Sequence, residues 1–496
     1  MKPILYIINW ILWVGLLASC GIKNAAPSDA KGSGIFLADC QLSAPGLSIR
    51  LAAKCGSLQV YEDRSTAMGK QINLNLAVIP AVSRNPEPDP LFFLTGGPGQ
   101  AATESYVQLS SAFDRIHQKR DIVLVDQRGT GKSNPLSCPK ASKTAPEDLP
   151  DKEIANWVSL CLKEIDANPS LYTTSIAMQD LDDVRSALGY PQINLYGVSY
   201  GTRAALTYLE LFPNRVRSVI LDGVVPQDEP LGVHIGRDAQ RALDLIFARC
   251  DTQPSCRQAF PAIRDEFTKL LQGLSSGPIE ISISDPNSGE DTQFNLDGDK
   301  VTSAVRLFSY TPETVALIPL LMHNAYIRKE YNSLAAMYLI VVGPLEGSIT
   351  QGMGYSVLCA EDVPFYSLEE AAKANAGTYL GDKSVMQLIN ICNVWPHASV
   401  PASFKTPVHS DVPVLLLSGE ADPVTPPAYG DRAARTLTNS MHIVAPGMGH
   451  NVIYRGCIPR IAADFIEAGK LHGLDTACIQ EIQPMPFFAN FSGPIP

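Results

Sequence analysis

The sequence predicts an α/β fold with a mostly parallel sheet, in which the functional side chains lie on the loops at the strand ends. Three observations predict it. A Gly-x-Ser-x-Gly lies between a strand-like run and a helix-like run, and later strand-like runs end first in an acid and then in a histidine. A long, mostly helical interval separates these two parts, as expected of a second unit inserted into a chain of 496 residues.

The central motif reads Gly197-Val198-Ser199-Tyr200-Gly201, after an apolar run at 193–196 and before a helix-like run at 202–209. Such a strand–turn–helix is the nucleophile elbow of the α/β-hydrolase fold, whose strained turn holds the serine above the sheet. The glycines remove Cβ atoms that would block the close approach of strand and helix. Ser199 is therefore the candidate nucleophile, although a bare Gly-x-Ser-x-Gly also occurs by chance and depends on its partners.

An acid and a histidine follow in the order that this fold uses, nucleophile, then acid, then base. A strand-like run at 412–419 ends in a proline-fixed loop that carries Asp422, and a run at 440–444 leads through a glycine-rich loop to His450. Glu420 is the rival acid, but it lies closer to the strand and its longer side chain needs a different reach. The sequence thus predicts catalysis by Ser199, Asp422 and His450.

A third glycine-rich loop, Thr95-Gly96-Gly97-Pro98-Gly99, follows the apolar run at 91–94. Its glycines can turn backbone N–H groups toward a reacting carbonyl oxygen, as an oxyanion hole requires. One donor is assigned to Gly97 and the other to Tyr200, the residue after the nucleophile. A tight loop without a catalytic role is the ordinary explanation of such glycines, and the elbow with its acid and histidine favours the catalytic one.

Five motifs occur in the order found in one family of serine exopeptidases: the loop at 95–99, the stretch Asp126-Gln127-Arg128-Gly129-Thr130-Gly131-Lys132-Ser133, the Ser199 elbow, the acid loop at 419–426, and Gly449-His450. From 91 to 450 the sequence resembles the proline iminopeptidase and tripeptidyl aminopeptidase family. The resemblance implies an enzyme that removes residues or short peptides from free peptide N-termini.

Two departures from the simplest proline iminopeptidases are visible. Thr95 stands where those enzymes have a histidine, and extra sequence surrounds Cys138 and Cys161. Both features, and the closing segment after Asp411, resemble the larger tripeptidyl aminopeptidase branch. The resemblance therefore favours release of short peptides over release of single prolines.

The stretch at 126–133 also imitates the end of a phosphate-binding loop. A Walker A motif needs a glycine five residues before Gly131, and that position is Asp126. No nucleotide is assigned. Asp126 and Arg128, at the exit of a predicted strand at 121–125, are expected to form a structural ion pair.

A largely helical lid is predicted for residues 225–404, the interval in which α/β-hydrolases insert a cap, between core parts at 41–224 and 405–496. Helical apolar spacing occurs at 239–250, 261–271, 314–327 and 331–342, and the polar segment 278–299 predicts a small hairpin.

The lid can restrict a hydrolase to chain ends by placing a carboxylate where the substrate's ammonium group must sit. The sequence Cys359-Ala360-Glu361-Asp362 joins an acidic pair to a predicted disulfide. Glu361 is the first candidate for substrate binding and Asp362 the second. A solvated acidic turn is the alternative explanation of this pair.

The first twenty residues predict export. A weakly positive start precedes a mostly apolar run at 4–17, and Leu17-Ala18-Ser19-Cys20 resembles a bacterial lipobox. The resemblance implies cleavage before Cys20 and diacylation of its thiol, with residues 21–40 as a flexible tether and a lipid as the only membrane contact. Gly21 suggests the outer membrane in a Gram-negative host. An uncleaved signal anchor is the alternative.

The cysteine count agrees with export. Of 11 cysteines, Cys20 would carry lipid, leaving an even number in a compartment that permits disulfides. Sequence proximity pairs them as Cys40–Cys55, Cys138–Cys161, Cys250–Cys256, Cys359–Cys392 and Cys457–Cys478. Metal binding is the rival use of cysteine, but no Cys-x-x-Cys or histidine-rich spacing occurs, so no metal is assigned.

The formal net charge of -11 and the pI near 5.3 argue against nucleic acid and against broad contact with anionic lipid. The expected chemistry is acyl transfer to Ser199 from a peptide substrate, which needs no cofactor. A carboxylesterase or lipase on the same core is the alternative, because the fold does not fix the leaving group. A non-enzymatic surface lipoprotein is less favoured, and no oligomeric state is assigned.

Overall fold

The computed structural model describes residues 34–138 and 149–494. The predicted leader and Cys20 lie outside the described residues. The strands are β1 (Ala38–Leu42), β2 (Leu51–Tyr61), β3 (Gln71–Ile79), β4 (Leu91–Leu94), β5 (Ile122–Val125), β6 (Ile193–Val198), β7 (Val216–Asp222), β8 (Ile279–Ser284), β9 (Asp291–Leu296), β10 (Val414–Gly419) and β11 (Ser440–Ala445). Nine of them form one sheet in the order β1-β2-β3-β5-β4-β6-β7-β10-β11, and β8 and β9 form a separate sheet.

Neighbouring strands are parallel along the series β5-β4-β6-β7-β10-β11. The neighbours β1–β2, β2–β3 and β3–β5 are antiparallel. Every residue of β4, β5, β6 and β10 is buried, which explains why these strands read as continuous apolar runs. Helices cover both faces. They are α1 (Ala102–Leu109), α2 (Asp114–His117), α3 (Asp151–Glu164), α4 (Thr174–Ala187), α5 (Tyr200–Leu211), α16 (Pro427–Ala434) and α17 (Ile458–Ala468).

The predicted strands around the candidate site are confirmed within three residues at each end. The predicted boundary between the tether (21–40) and the core was wrong. Residues 38–40 belong to β1 and pair with β2. The Cys40–Cys55 disulfide lies in this antiparallel pair. The strand escaped prediction because most of its residues are not buried, so no apolar pattern marks it.

The interval 225–404 is mostly helical, as predicted, and has an apolar core of its own that includes Phe247, Phe267 and Phe308. The predicted hairpin is confirmed as β8 and β9. The helices of this lid are α6 (Ile235–Thr252), α7 (Pro254–Ala259), α8 (Ile263–Leu274), α9 (Gly298–Phe308), α10 (Pro312–Val315), α11 (Ile318–His323), α12 (Asn332–Gly347), α13 (Gln351–Glu361), α14 (Leu368–Asn375) and α15 (Lys383–Cys392).

All five predicted disulfides are present. Within the lid, Cys359–Cys392 joins α13 to α15, and Cys138–Cys161 lies in a cluster that packs α3 against both of those helices. The extra sequence around Cys138 and Cys161 therefore supports the lid. Across the described part of the chain, no helix combines the length and the apolar character needed to cross a membrane.

Candidate active site

Ser199 lies at the sharp turn between β6 and α5, with a backbone φ of 56° and ψ of −126° that side chains rarely adopt. The flanking glycines are required by contact. A Cβ on Gly197 would lie 2.3 Å from the carbonyl oxygen of Gly201, and one on Gly201 would lie 2.2 Å from that of Leu94. The elbow predicted from the sequence is therefore formed as expected, with Ser199 half-buried above the sheet.

Asp422 and His450 meet at the carboxyl ends of β10 and β11. The His450 Nδ1 lies 2.8 Å from the Asp422 Oδ2, and both residues are buried. Burial alone would raise the pKa of Asp422, but His450 and the N–H groups of Thr425 and Val424 outweigh it, so the pKa lies below its usual value. An ionised Asp422 accepts the Nδ1 proton of a neutral His450, which leaves Nε2 free to accept a proton from a hydroxyl.

The rival acid Glu420 does not reach the histidine ring. Its Oε2 accepts a hydrogen bond from the Gly447 N–H at 2.8 Å, and the side chain is exposed. Glu420 thus holds the loop that leads to His450, while Asp422 contacts the imidazole itself. Asp422, although its side chain is shorter, is therefore the acid placed to bind the histidine.

Two supporting residues were missed by the sequence analysis. The Thr425 hydroxyl donates to the Asp422 Oδ2 at 2.8 Å and lies 3.2 Å from the His450 Nδ1. The lid residue Tyr310 packs its ring edge-on to His450, with centroids 5.1 Å apart. Thr425 follows Asp422 by three residues, so a search for short hydroxyl–carboxylate turns in the acid loop would have found it.

Asp222, at the end of β7, connects the nucleophile with the histidine loop. Its carbonyl oxygen accepts from the Ser199 N–H at 2.9 Å. Its carboxylate accepts from the N–H groups of Val452 and Ile453, just after His450, and from the Tyr196 hydroxyl. Burial raises the pKa of Asp222 to about 6. The next residue is Gly223, and a Cβ there would lie 2.9 Å from the imidazole ring.

The glycine loop after β4 lies against the nucleophile, since a Cβ on Gly96 would be 3.1 Å from that of Ser199. Gly97 has a φ of 109°, which favours glycine. Tyr200 is the first residue of α5, so its N–H has no partner within the helix and lies at the positive end of the helix dipole. Tyr200 thus adjoins Ser199 directly, and Gly97 follows the glycine that contacts it. The lid holds this loop, because the Thr350 N–H donates to the Gly99 carbonyl at 2.9 Å.

Glu361 and Asp362 lie at the end of α13 and are fully buried, so the solvated acidic turn is wrong. Glu361 accepts from Thr174 through the backbone N–H at 2.6 Å and through the hydroxyl at 2.7 Å. Burial raises the pKa of Glu361 to about 7. Asp362 binds the Arg203 guanidinium at 2.7 Å and the Lys405 ammonium at 2.8 Å. Their predicted role as ligands of a substrate ammonium stays a prediction.

The predicted ion pair between Asp126 and Arg128 is wrong. The Arg128 guanidinium forms a two-point pair with Asp180, at 2.6 and 2.9 Å. Asp126 turns the other way and accepts from the Thr103 N–H at 3.0 Å. A Cβ on Gly131 would lie 2.4 Å from the Asp126 carboxylate. The glycine that imitates a phosphate-binding loop thus makes room for a neighbouring side chain.

Comparisons with known proteins match both halves of the chain. Residues 89–277 match the family described as alpha/beta hydrolase fold, and residues 378–478 match the family described as TAP-like protein. The tripeptidyl aminopeptidase of Streptomyces lividans is 30% identical over 508 residues, which cover 93% of this chain and 89% of that protein. The serine protease Hip1 of Mycobacterium tuberculosis (strain ATCC 25618 / H37Rv) is 25% identical over 498 residues, 92% of this chain and 94% of that protein.

Proposed function

The chain belongs to the tripeptidyl aminopeptidase family of α/β-hydrolases, and we propose that it is a serine peptidase that releases short peptides, tripeptides above all, from free peptide N-termini. One observation carries the proposal. A buried, ionised Asp422 orients His450, and Asp222 ties the loop that follows His450 to a serine held in a strained elbow. This is the arrangement that acyl transfer to a serine requires.

In the proposed reaction the Ser199 Oγ attacks the scissile carbonyl carbon while the His450 Nε2 takes the hydroxyl proton. Asp422 stabilises the imidazolium that forms. His450 then gives the proton to the leaving amine, the C–N bond breaks, and the C-terminal part of the substrate departs. The short N-terminal peptide remains bound to Ser199 as an ester. Water, deprotonated by His450, hydrolyses that ester and regenerates the enzyme.

The negative charge that develops on the carbonyl oxygen is assigned to the N–H groups of Gly97 and Tyr200. Such donors act in a site shielded from water, and each contributes roughly 3 kcal/mol to transition-state stabilisation. Their placement on a glycine loop and on the first residue of α5 supports the assignment.

Selection of free N-termini is assigned to the lid, where the sequence predicts Glu361 and Asp362 as the acidic groups. Both oxygens of Glu361 already accept from Thr174, whereas the Oδ2 of Asp362 is buried without a hydrogen-bond partner among the described residues. Asp362 is therefore the better ammonium ligand of the two. Because both carboxylates are inaccessible here, an ammonium group reaches them only after a movement of the lid.

The test compares the protein from residue 21 onward with its Ser199→Ala variant on three substrates: a free-amino tripeptide anilide, its N-acetylated twin and a short-chain nitrophenyl ester. Cleavage of the free tripeptide alone, lost in the variant, is the expected result. Cleavage of the ester with both peptides untouched would make the protein a carboxylesterase and overturn the peptidase proposal.

We further propose that the enzyme is exported and tethered to the cell envelope by lipid on Cys20. The five disulfides support an oxidising compartment. Replacing Cys20 by alanine should move the protein from the membrane pellet to the soluble fraction. If the variant stays in the pellet, the lipid is not the anchor.

A further inference from the structure

A buried chain of hydrogen bonds runs from the lid to the residue after the nucleophile. The Gln127 Nε2 donates to the Tyr200 hydroxyl at 3.0 Å, and that hydroxyl lies 2.7 Å from the Thr174 Oγ1. The Thr174 hydroxyl donates to the Glu361 Oε2 at 2.7 Å, and the Thr174 N–H donates to Oε1 at 2.6 Å. The chain joins the core helices α4 and α5 to the lid helix α13.

The direction of these bonds follows from their two ends. An ionised carboxylate only accepts, so the Thr174 hydroxyl gives its proton to Glu361. The Tyr200 hydroxyl accepts from Gln127 and so gives its own proton to Thr174. Every hydroxyl then donates once and accepts once. Glu361 sets this direction in its ionised form, which prevails above a pKa of about 7.

The Tyr200 side chain is in turn the support of the proposed oxyanion donor. Tyr200 is 2% exposed, and it packs among Leu136, Tyr172, Met353 and Val357, the last two from α13. Packing fixes the ring laterally, and the hydrogen-bond chain fixes its hydroxyl end. The position of the Tyr200 Cα, and with it the direction of its N–H, is therefore set from the lid.

The neighbouring lid residue acts on the same helix. Asp362 pairs with Arg203, which lies about one turn beyond Tyr200 on α5. Two consecutive lid residues thus hold the first turn of α5. Glu361 acts on it through Thr174, and Asp362 contacts it directly. This arrangement differs from that of a ligand site, because the carboxylate oxygens of Glu361 face protein donors and no solvent.

We propose that Glu361 is a positioning residue, which orients the oxyanion donor Tyr200 through Thr174. The inference rests on the proposed peptidase function and deepens it: the lid sets the rate of acyl transfer as well as choosing the substrate. It also reassigns Glu361 from the ammonium ligand expected from the sequence to a support of the oxyanion hole.

The decisive variants are Glu361→Gln and Thr174→Val. A glutamine at 361 donates to Thr174, so the Thr174 proton turns to Tyr200 and the Tyr200 proton loses its acceptor. A valine at 174 removes the link but keeps the shape. Each should lower kcat roughly tenfold with little change in KM, because the lost interaction acts in the transition state. Thr174→Ser, which restores the hydroxyl, should recover most of the rate.

A matched control lies on the same helix. Tyr208 is buried and donates its hydroxyl to Asp182 at 2.8 Å, about two turns beyond Tyr200. Tyr208→Phe should lower the unfolding midpoint as Tyr200→Phe does, while only Tyr200→Phe should lower kcat. The double variant Thr174→Val with Tyr200→Phe should be no slower than either single one, because both cut the same chain.

The outcomes separate the two proposals for Glu361. A lowered kcat with an unchanged KM for the free tripeptide in Glu361→Gln supports positioning. A raised KM for the free tripeptide with an unchanged kcat would make Glu361 the ammonium ligand and overturn the inference. A wild-type protein inactive on peptides and ester would overturn the proposed function instead, while additive unfolding energies of Thr174→Val and Tyr200→Phe would by themselves refute the link.

Discussion

The two halves of the catalytic site are built differently. The acid–base half is local: Asp422 and His450 are 28 positions apart, and their hydrogen bonds are made within the core. The oxyanion half is remote: Thr174 and Glu361 are 187 positions apart and belong to core and lid. The comparison teaches that the hydrogen bonds that orient the base are made by the core alone, whereas the oxyanion donors depend on the position of the lid.

The largest effect is expected from Asp422→Asn, which breaks the local half. The Oδ1 accepts from the N–H groups of Val424 and Thr425, so the amide oxygen takes that place and the NH₂ faces His450. His450 must then hold its proton on Nε2, where it cannot accept one from Ser199. We expect kcat to fall roughly 10⁴-fold. Steady-state kinetics on the tripeptide anilide measure it, and a loss below tenfold would refute the assigned tautomer.

The next effect comes from Gly97→Ala, which disturbs the remote half. An added Cβ would lie 2.6 Å from the Gly99 N, in a backbone conformation that alanine resists. The oxyanion loop must shift, and kcat should fall roughly 10²-fold, the cost of one donor. Labelling of Ser199 by a fluorophosphonate should slow in parallel. Normal labelling with slow peptide cleavage would place the damage in substrate binding.

Stability should depend on pH through Glu361. Burial raises the pKa of Glu361 from 4.5, its value in the unfolded chain, to about 7 in the folded protein. The folded state therefore has its full stability below pH 4.5, where Glu361 is protonated in both states, and loses stability as the pH rises through 7. Arg203, Asp362 and Lys405 are the charges around it. Relative to wild type, Glu361→Gln should gain up to about 3 kcal/mol in unfolding free energy between pH 4.5 and 8. Urea unfolding at both pH values tests this, and a constant difference contradicts it.

The smallest effect is expected from Thr425→Val, within the local half. The substitution removes the hydroxyl that donates to the Asp422 Oδ2 but keeps the backbone N–H bond. One such bond to a charged group corresponds to about a tenfold loss in kcat. Thr425→Ser is the matched control and should retain the rate. Equal rates in all three proteins would remove Thr425 from the support of the acid.

The sequence predicted the local half and both oxyanion donors, but it missed the contacts that tie those donors to the lid. The elbow, Asp422 and the five disulfides are formed by residues close together in sequence or marked by glycines at fixed positions. Such local motifs can be recognised from the sequence alone. The partners of Glu361 and Arg128 come from helix α4, which no local pattern connects to them. Strand β1 escaped because it has little buried apolar surface to reveal it.

The two ends of Asp222 have a consequence for motion. Its backbone carbonyl holds the nucleophile and its carboxylate holds the residues after the catalytic histidine. A single residue at the end of a buried strand thus fixes both reacting partners to one point. Any shift of this strand end would therefore move the backbones of nucleophile and base in the same direction.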